Sequence, residues 1–183
     1  SVPTRPEEGE QAVIGRIAGL VEESISDTVR EAGIARDQVS GVGIGAPGPL
    51  DRARGIVLLT PNLGWTLLPL RDLVGGAVRL PATLDNDANC AIYGEWWVGA
   101  AKGARYVVGL TIGTGIGGGI VVDGKLYHGT SDIAGEIGHT TIDSTGRRCK
   151  CGNYGCLEAY ASGPAIAARA VEGIEAGADS SLA

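Results

Sequence analysis

The 183-residue sequence contains no methionine and no phenylalanine. A serine at position 1 is compatible with removal of an initiator methionine, and the lack of any other points to part of a longer chain. Basic residues are in the minority. Fifteen Lys and Arg stand against 21 Asp and Glu, giving a formal net charge of -6. Such a chain offers no broad phosphate-neutralising surface, which argues against nucleic acid as a partner. Long apolar runs are also missing. The longest uncharged stretch, Tyr106 to Val122, spans 17 residues and carries six glycines and two threonines. A bilayer span needs about 20 mostly apolar residues, so this run reads as a buried strand pair around a loop. No apolar core follows a basic start; Glu7, Glu8 and Glu10 crowd the N-terminus instead. With no targeting segment legible, a cytoplasmic location is expected. Cysteine is too sparse and uneven for a disulfide scaffold, with four residues of which three fall within eight positions. The 31 glycines follow no G-X-Y period, which excludes collagen. A mean hydropathy of +0.13 excludes a disordered polyampholyte.

Strands alternate with helices. Ile14, Ile17, Ala18, Val21, Ile25 and Val29 fall on one helical face within Gln11 to Ala32, and Gly33 is placed to close that helix. Val39 to Gly45 and Gly55 to Leu59 read as strands, and Leu70 to Val78 as a short helix. Ala82 to Leu84 is a strand running into Asp85-Asn86-Asp87-Ala88-Asn89, which caps a helix expected to reach Ala101. Tyr106 to Ile112 is a strand, Gly113 to Gly119 a glycine loop, and Ile120 to Leu126 a strand turned at Asp123-Gly124. Glu158 to Ala176 is mostly helical. The pattern is α/β, with a lobe boundary dividing 1–102 from 103–183.

Four features carry chemistry. His139, Cys149, Cys151 and Cys156 form the Cys3His set of a closed structural zinc site, and Gly152 and Gly155 let the backbone fold back around one ion. The cysteines lie among Arg147, Arg148, Lys150 and Asn153 rather than in an apolar strand, which favours metal over buried thiols. Asp87 sits at a strand-to-helix junction, facing the positive end of a helix dipole, where it is either a general base or a plain N-cap. Asn86 and Asn89 beside it can hydrogen-bond a polyhydroxyl ligand. Gly113-x-Gly115-x-x-Gly118 and Gly43-x-Gly45-x-x-Gly48 both match the dinucleotide fingerprint, yet neither opens a helix, so a Rossmann site is excluded. Gly119 to Lys125 nearly matches a P-loop, but Leu126 replaces the Ser or Thr. Gly113-Thr114-Gly115 remains either a phosphate-binding turn or a tight glycine turn. Finally, Glu136 precedes His139 by three residues, one helical turn, and Glu158 closes the cysteine-rich segment.

Together these segments resemble the ROK family of bacterial sugar kinases and sugar-responsive repressors. The resemblance is carried by Glu136-Ile137-Gly138-His139, by Cys149-Lys150-Cys151-Gly152-Asn153-Tyr154-Gly155-Cys156-Leu157-Glu158, and by Tyr160-Ala161-Ser162-Gly163. Asn86 to Asn89 and Thr111 to Gly119 match upstream, in order and approximate spacing. The resemblance implies a partial actin/hexokinase-like (ribonuclease H-like) two-lobe fold with a structural zinc loop. Residues 1–102 would form the sugar-binding lobe without its first strands, and 103–183 the start of the nucleotide lobe. It implies ATP-dependent phosphorylation of a hexose, glucose to glucose 6-phosphate in the glucokinase-like branch, with Asp87 as the general base. Gly48, Asn62, Asn86, Glu136, His139 and Glu158 would hold the sugar, and Gly113, Thr114 and Gly115 the ATP phosphates. Zinc would be structural, Mg²⁺ would accompany ATP, and the protein would be a homodimer.

The chain departs from the family pattern at both ends. The Asp-x-Gly-Gly-Thr strand turn, the first phosphate-binding segment, has no counterpart in Ser1 to Glu10, and the family runs well past the segment around Ser162 to Ile166. Both ends therefore read as cut, with half of the ATP site outside the chain. The same residues also fit the sensor of a ROK-type repressor, which would need a basic helix-turn-helix ahead of residue 1. Mannose, N-acetylmannosamine and N-acetylglucosamine remain open as substrates, and polyphosphate as donor.

Overall fold

The computed structural model describes residues 2–60 and 63–181. They divide into two compact units, Ser1–Asp87 and Ala88–Ala183. The first begins with α1 (Glu10–Ala32), followed by β1 (Val42–Ala46), β2 (Leu50–Asp51), β3 (Ile56–Thr60), β4 (Trp65–Leu68), α2 (Leu70–Val78) and β5 (Ala82–Asn86). Gly33, at φ 65°, ends α1 in the left-handed conformation expected of it. Val13 and Ile25 are the buried residues of that helix, and the rest of the expected stripe is half-buried.

β1 and β5 pair in parallel, with Val42 opposite Ala82 and Ala46 opposite Asn86. β2, β3 and β4 form a separate antiparallel sheet. Neither β2 nor β4 was legible in the sequence, because strands of two and four residues are too short to show a period of two. The unit has one hydrophobic core. Val13 from α1, Val57 from β3, Trp65 from β4, Leu70 and Val74 from α2 and Leu84 from β5 meet in it. Each large aliphatic side chain buried there contributes about 1.5–3 kcal/mol.

The helix α3 (Asp87–Trp97) begins where β5 ends and stops four residues short of the expected Ala101. Beyond Asp87 it belongs to the second unit, which continues with β6 (Tyr106–Ile112), β7 (Ile116–Val122), β8 (Lys125–Leu126), a 3-10 turn at Ile137–His139, α4 (Glu158–Ala161) and α5 (Gly163–Glu175). The expected glycine loop is shorter than the run of glycines. β6 and β7 pair in register from Tyr106–Val122 to Ile112–Ile116, leaving only Gly113-Thr114-Gly115 as the turn. The remaining glycines pack a helix. A Cβ at Gly109 would stand 2.3 Å from Ile92 Cδ1, and one at Gly117 would stand 2.7 Å from Ala88 Cβ, so α3 lies directly on this face of the hairpin. The opposite face of β6 leaves Tyr106, Val108, Leu110 and Ile112 exposed.

The expected helix from Glu158 is broken. Ser162 is extended (φ -69°, ψ 159°) and its Oγ accepts the Ala165 N–H at 3.4 Å, ending α4 and capping α5. No helix among the described residues is long and apolar enough to cross a membrane.

Candidate functional site

In the first unit, the candidate residues gather at the carboxyl ends of the parallel strands. Asn86 ends β5 opposite Ala46, the last residue of β1. Asp87 follows Asn86 directly, and Gly48 follows Ala46 by two residues. Ligands of parallel α/β sheets bind at such strand ends. Asp87 is exposed and occupies the first turn of α3, so its carboxylate stands at the positive end of that helix. Gly48 has φ 86°, and a Cβ there would meet the Leu59 carbonyl oxygen at 2.4 Å, so the turn requires glycine whatever it binds. Asn62 lies outside the described residues.

Asp85 holds this strand end in place. One of its oxygens accepts the Asn86 N–H at 2.8 Å, and the other accepts Arg52 Nε–H at 3.1 Å. The pair was not legible in the sequence. Asp85 stood out only as part of the Asp-Asn-Asp run, and nothing along the chain connects it with Arg52, 33 residues away.

In the second unit, Glu136, Ile137, Gly138 and His139 form the tight turn implied by their spacing. His139 N–H donates to the Glu136 carbonyl at 3.0 Å, and its Nε2 lies 3.9 Å from Glu136 Oε2. The other ring nitrogen faces the cysteines, with Nδ1 3.8 Å from Cys149 Sγ. The two faces of one imidazole thus serve different neighbours. The cysteine loop folds back through antiparallel bridges pairing Thr141 with Cys156 and Arg148 with Tyr154, and Gly152 and Gly155 take positive φ values of 97° and 68°.

The ligand atoms of His139, Cys149, Cys151 and Cys156 all lie within 4.8 Å of one another, so the cluster can hold a metal ion. Cys151 Sγ and Cys156 Sγ are 3.7 Å apart. That matches the edge, about 3.8 Å, of a tetrahedron with metal–sulfur bonds of about 2.3 Å. The residues therefore fit a soft tetrahedral ion with four protein ligands. Burial pushes the Cys149 thiol up and the Cys156 thiol up to about 12, while the Asn153 N–H beside Cys151 draws that thiol down.

Glu158 opens α4 immediately after the loop, half-buried. Its Oε2 accepts the Ile116 N–H at 2.8 Å, and its Oε1 lies 3.8 Å from Cys149 Sγ. A carboxylate has about four acceptor positions, so capacity remains for a further donor. The Gly113-Thr114-Gly115 turn is close by, closed by one bond from Gly113 N–H to the Gly115 carbonyl at 2.9 Å. A cavity of about 300 Å³ opens beside Thr114, lined also by Arg147, Arg148, Lys150, Glu158 and Ser162. Arg147 is occupied there: its guanidinium pairs with Glu172 and lies over the Tyr160 ring.

A family model described as the ROK family matches residues 15–181. A glucokinase of Halalkalibacterium halodurans is 39% identical over 183 residues, covering 100% of this chain and 54% of its own length. A xylose repressor of Caldicellulosiruptor bescii is 40% identical over 151 residues, which cover 82% of this chain and 38% of the repressor. Among solved structures, a ROK family glucokinase from Streptomyces griseus in complex with glucose and AMPPNP superposes with a TM-score of 0.74 at 39% identity, over 96% of this chain and 53% of that one. The chain spans about half the length of the glucokinases it matches.

Proposed function

This chain belongs to the ROK family and has its hexokinase-type α/β fold, and we propose that it works in ATP-dependent phosphorylation of a hexose, with glucose as the sugar. Residues 1–102 serve the sugar side and 103–183 the nucleotide and metal side, in a cytoplasmic homodimer. The observation that carries this reading is the location of Asp87, an exposed carboxylate on the first turn of α3, directly after a parallel strand ends. Asp87 removes the proton from the attacking sugar hydroxyl. Its carboxylate needs only to accept that proton, because phosphoryl transfer requires positioning and charge stabilisation with little covalent help from the protein. Asn86, Gly48 and Asn62 hold sugar hydroxyls, Asn86 and Gly48 from the strand ends next to the base. Glu136, Glu158 and the Nε2 edge of His139 hold others.

His139 serves twice in this reading. Its Nδ1 and the three cysteine thiolates hold a structural zinc, and with four protein ligands no position is left for water. Fixing Nδ1 leaves the ring with one orientation, so Nε2 is presented rigidly. The Gly113-Thr114-Gly115 turn meets the donor phosphates with backbone N–H groups and the Thr114 hydroxyl. Arg148 and Lys150, lining the cavity beside Thr114, add positive charge. Mg²⁺ bound with ATP supplies further charge neutralisation on the transferred phosphoryl group.

A coupled assay of ADP formation with the full-length protein tests the proposal. Glucose-dependent turnover is expected, and it should fall by about 10²–10⁴-fold in Asp87→Asn while glucose still binds. Sugar binding without turnover in the wild type would instead favour a second reading, a sugar sensor, which is supported by the 40% identity to a xylose repressor.

A further inference from the structure

We propose that Glu158 is a positioning residue that ties the metal cluster to the Gly113–Gly115 turn, so that an ion held by His139 and the cysteines orders that turn. The β6–β7 ladder ends at Ile112–Ile116, so it fixes the ends of the turn but not its three residues. The turn contains two glycines and a threonine, and one internal hydrogen bond closes it; glycine loses more conformational freedom on ordering than any other residue. Its order must come from what grips it.

Two grips are present, both on the segment that leaves the cysteine loop. The Ile116 N–H, just past the turn, donates to Glu158 Oε2 at 2.8 Å. The Gly163 N–H donates to the Gly113 carbonyl at 2.9 Å, holding the other end. The carboxylate also fills the space beneath the turn, since a Cβ at Gly115 would stand 2.5 Å from Oε2. Residues 158–163 therefore clamp the turn from both sides, and this clamp is anchored at the cluster. Glu158 lies two residues after Cys156, one of the four ligand positions, and its Oε1 stands 3.8 Å from the Sγ of Cys149, another of them. A glycine-rich loop folds around its ion because the binding free energy is the folding free energy. Order in the loop then passes to Glu158 and from Glu158 to the turn. The functional value of the coupling rests on the reading of the turn as the donor-phosphate segment, where a preorganised turn lowers the entropy lost on binding.

Amide hydrogen exchange by NMR on the full-length protein, loaded with zinc, tests the coupling without sugar or nucleotide. Glu158→Ala should accelerate exchange at Ile116 by about tenfold or more with its zinc content unchanged, the loss of one half-buried hydrogen bond to a charged group. Glu158→Gln should restore protection, because the amide oxygen accepts the same N–H. Chelation of the wild-type protein should accelerate Ile116 and Gly163 together while Val74, in the core of the first unit, stays protected. Unchanged exchange at Ile116 after chelation would overturn the proposal, as would unchanged exchange in Glu158→Ala. If Glu158→Ala does not fold, Glu158→Gln and chelation of the wild type still decide. The readout is independent of catalysis, so an inactive chain can show the coupling and an active kinase can lack it.

Discussion

The Nδ1 atom of His139 stands 3.8 Å from the Sγ of Cys149, which leaves the opposite edge of the ring, Nε2, turned to Glu136. A metal bound at Nδ1 would leave the ring proton on Nε2, so the two edges of one side chain would serve different neighbours.

The chain should carry about one zinc, and Cys156→Ser should reduce that to a small fraction. Burial drives the Cys149 and Cys156 thiols upward, so zinc must displace protons to bind them as thiolates. Affinity should therefore rise with pH. Titration calorimetry in buffers of different ionisation enthalpy measures the protons released. No release, or full metal content in Cys156→Ser, would remove the cluster as the site.

Asp87→Asn should lower kcat by about 10²–10⁴-fold, the usual contribution of a general base. The sugar dissociation constant should change little, because the substituted amide keeps the size of the carboxylate. Steady-state kinetics and calorimetry on the same preparation separate the two. Near-normal turnover would exclude Asp87 from the proton transfer.

Gly138→Ala should destabilise the second unit. A Cβ there would lie 2.1 Å from the Ile116 carbonyl oxygen, a backbone atom that cannot swing aside. Overpacking of this kind costs about 1–3 kcal/mol, or roughly 2–4 °C in Tm for each kcal/mol at this chain length. Because Gly138 adjoins His139, zinc affinity should fall with it. A melting curve that matches the wild type would show that the turn relaxes freely.

Acid should loosen the charged contacts at the surface. Hydrogen bonds from Arg36 hold Glu22 below the ordinary carboxylate range, and those from Arg147 do the same for Glu172. Asp143 is held down by the Thr145 N–H, then by the Thr145 hydroxyl and Tyr160. Groups depressed by folding contribute stability that is complete above their unfolded values, near pH 4, and is lost as pH falls through the lower folded values. Melting temperature should be level from about pH 7 to 5 and decline below about pH 4. All three groups are exposed, so the effect is small and screened by salt. Combining Glu22→Gln with Glu172→Gln should flatten part of the decline; an identical acid limb would assign it to other groups.

The sequence by itself determined the chemistry-bearing residues and the local elements. The spacing of Cys149, Cys151 and Cys156 and the three-residue step from Glu136 to His139 are properties of the chain, and the structure brings all four side chains of the Cys3His cluster together. The helix at Leu70–Val78 and the strand at Tyr106–Ile112 were legible to the residue, because their apolar periods run without interruption. What a glycine is for was not legible. Of the run Gly113 to Gly119, three residues form a turn, and the rest are strand, shaped partly by the approach of α3. The break at Ser162 was hidden because serine tolerates a helix interior and caps a helix equally well to the eye of a propensity scale. Only the tertiary structure decided the partners across long separations: Arg52 with Asp85, Glu158 with Ile116, Arg147 with Glu172. Local sequence sets backbone preference and hydrophobic period, whereas a single side-chain hydrogen bond between distant residues leaves no period along the chain and exists only once the strands and turns that carry both partners have packed.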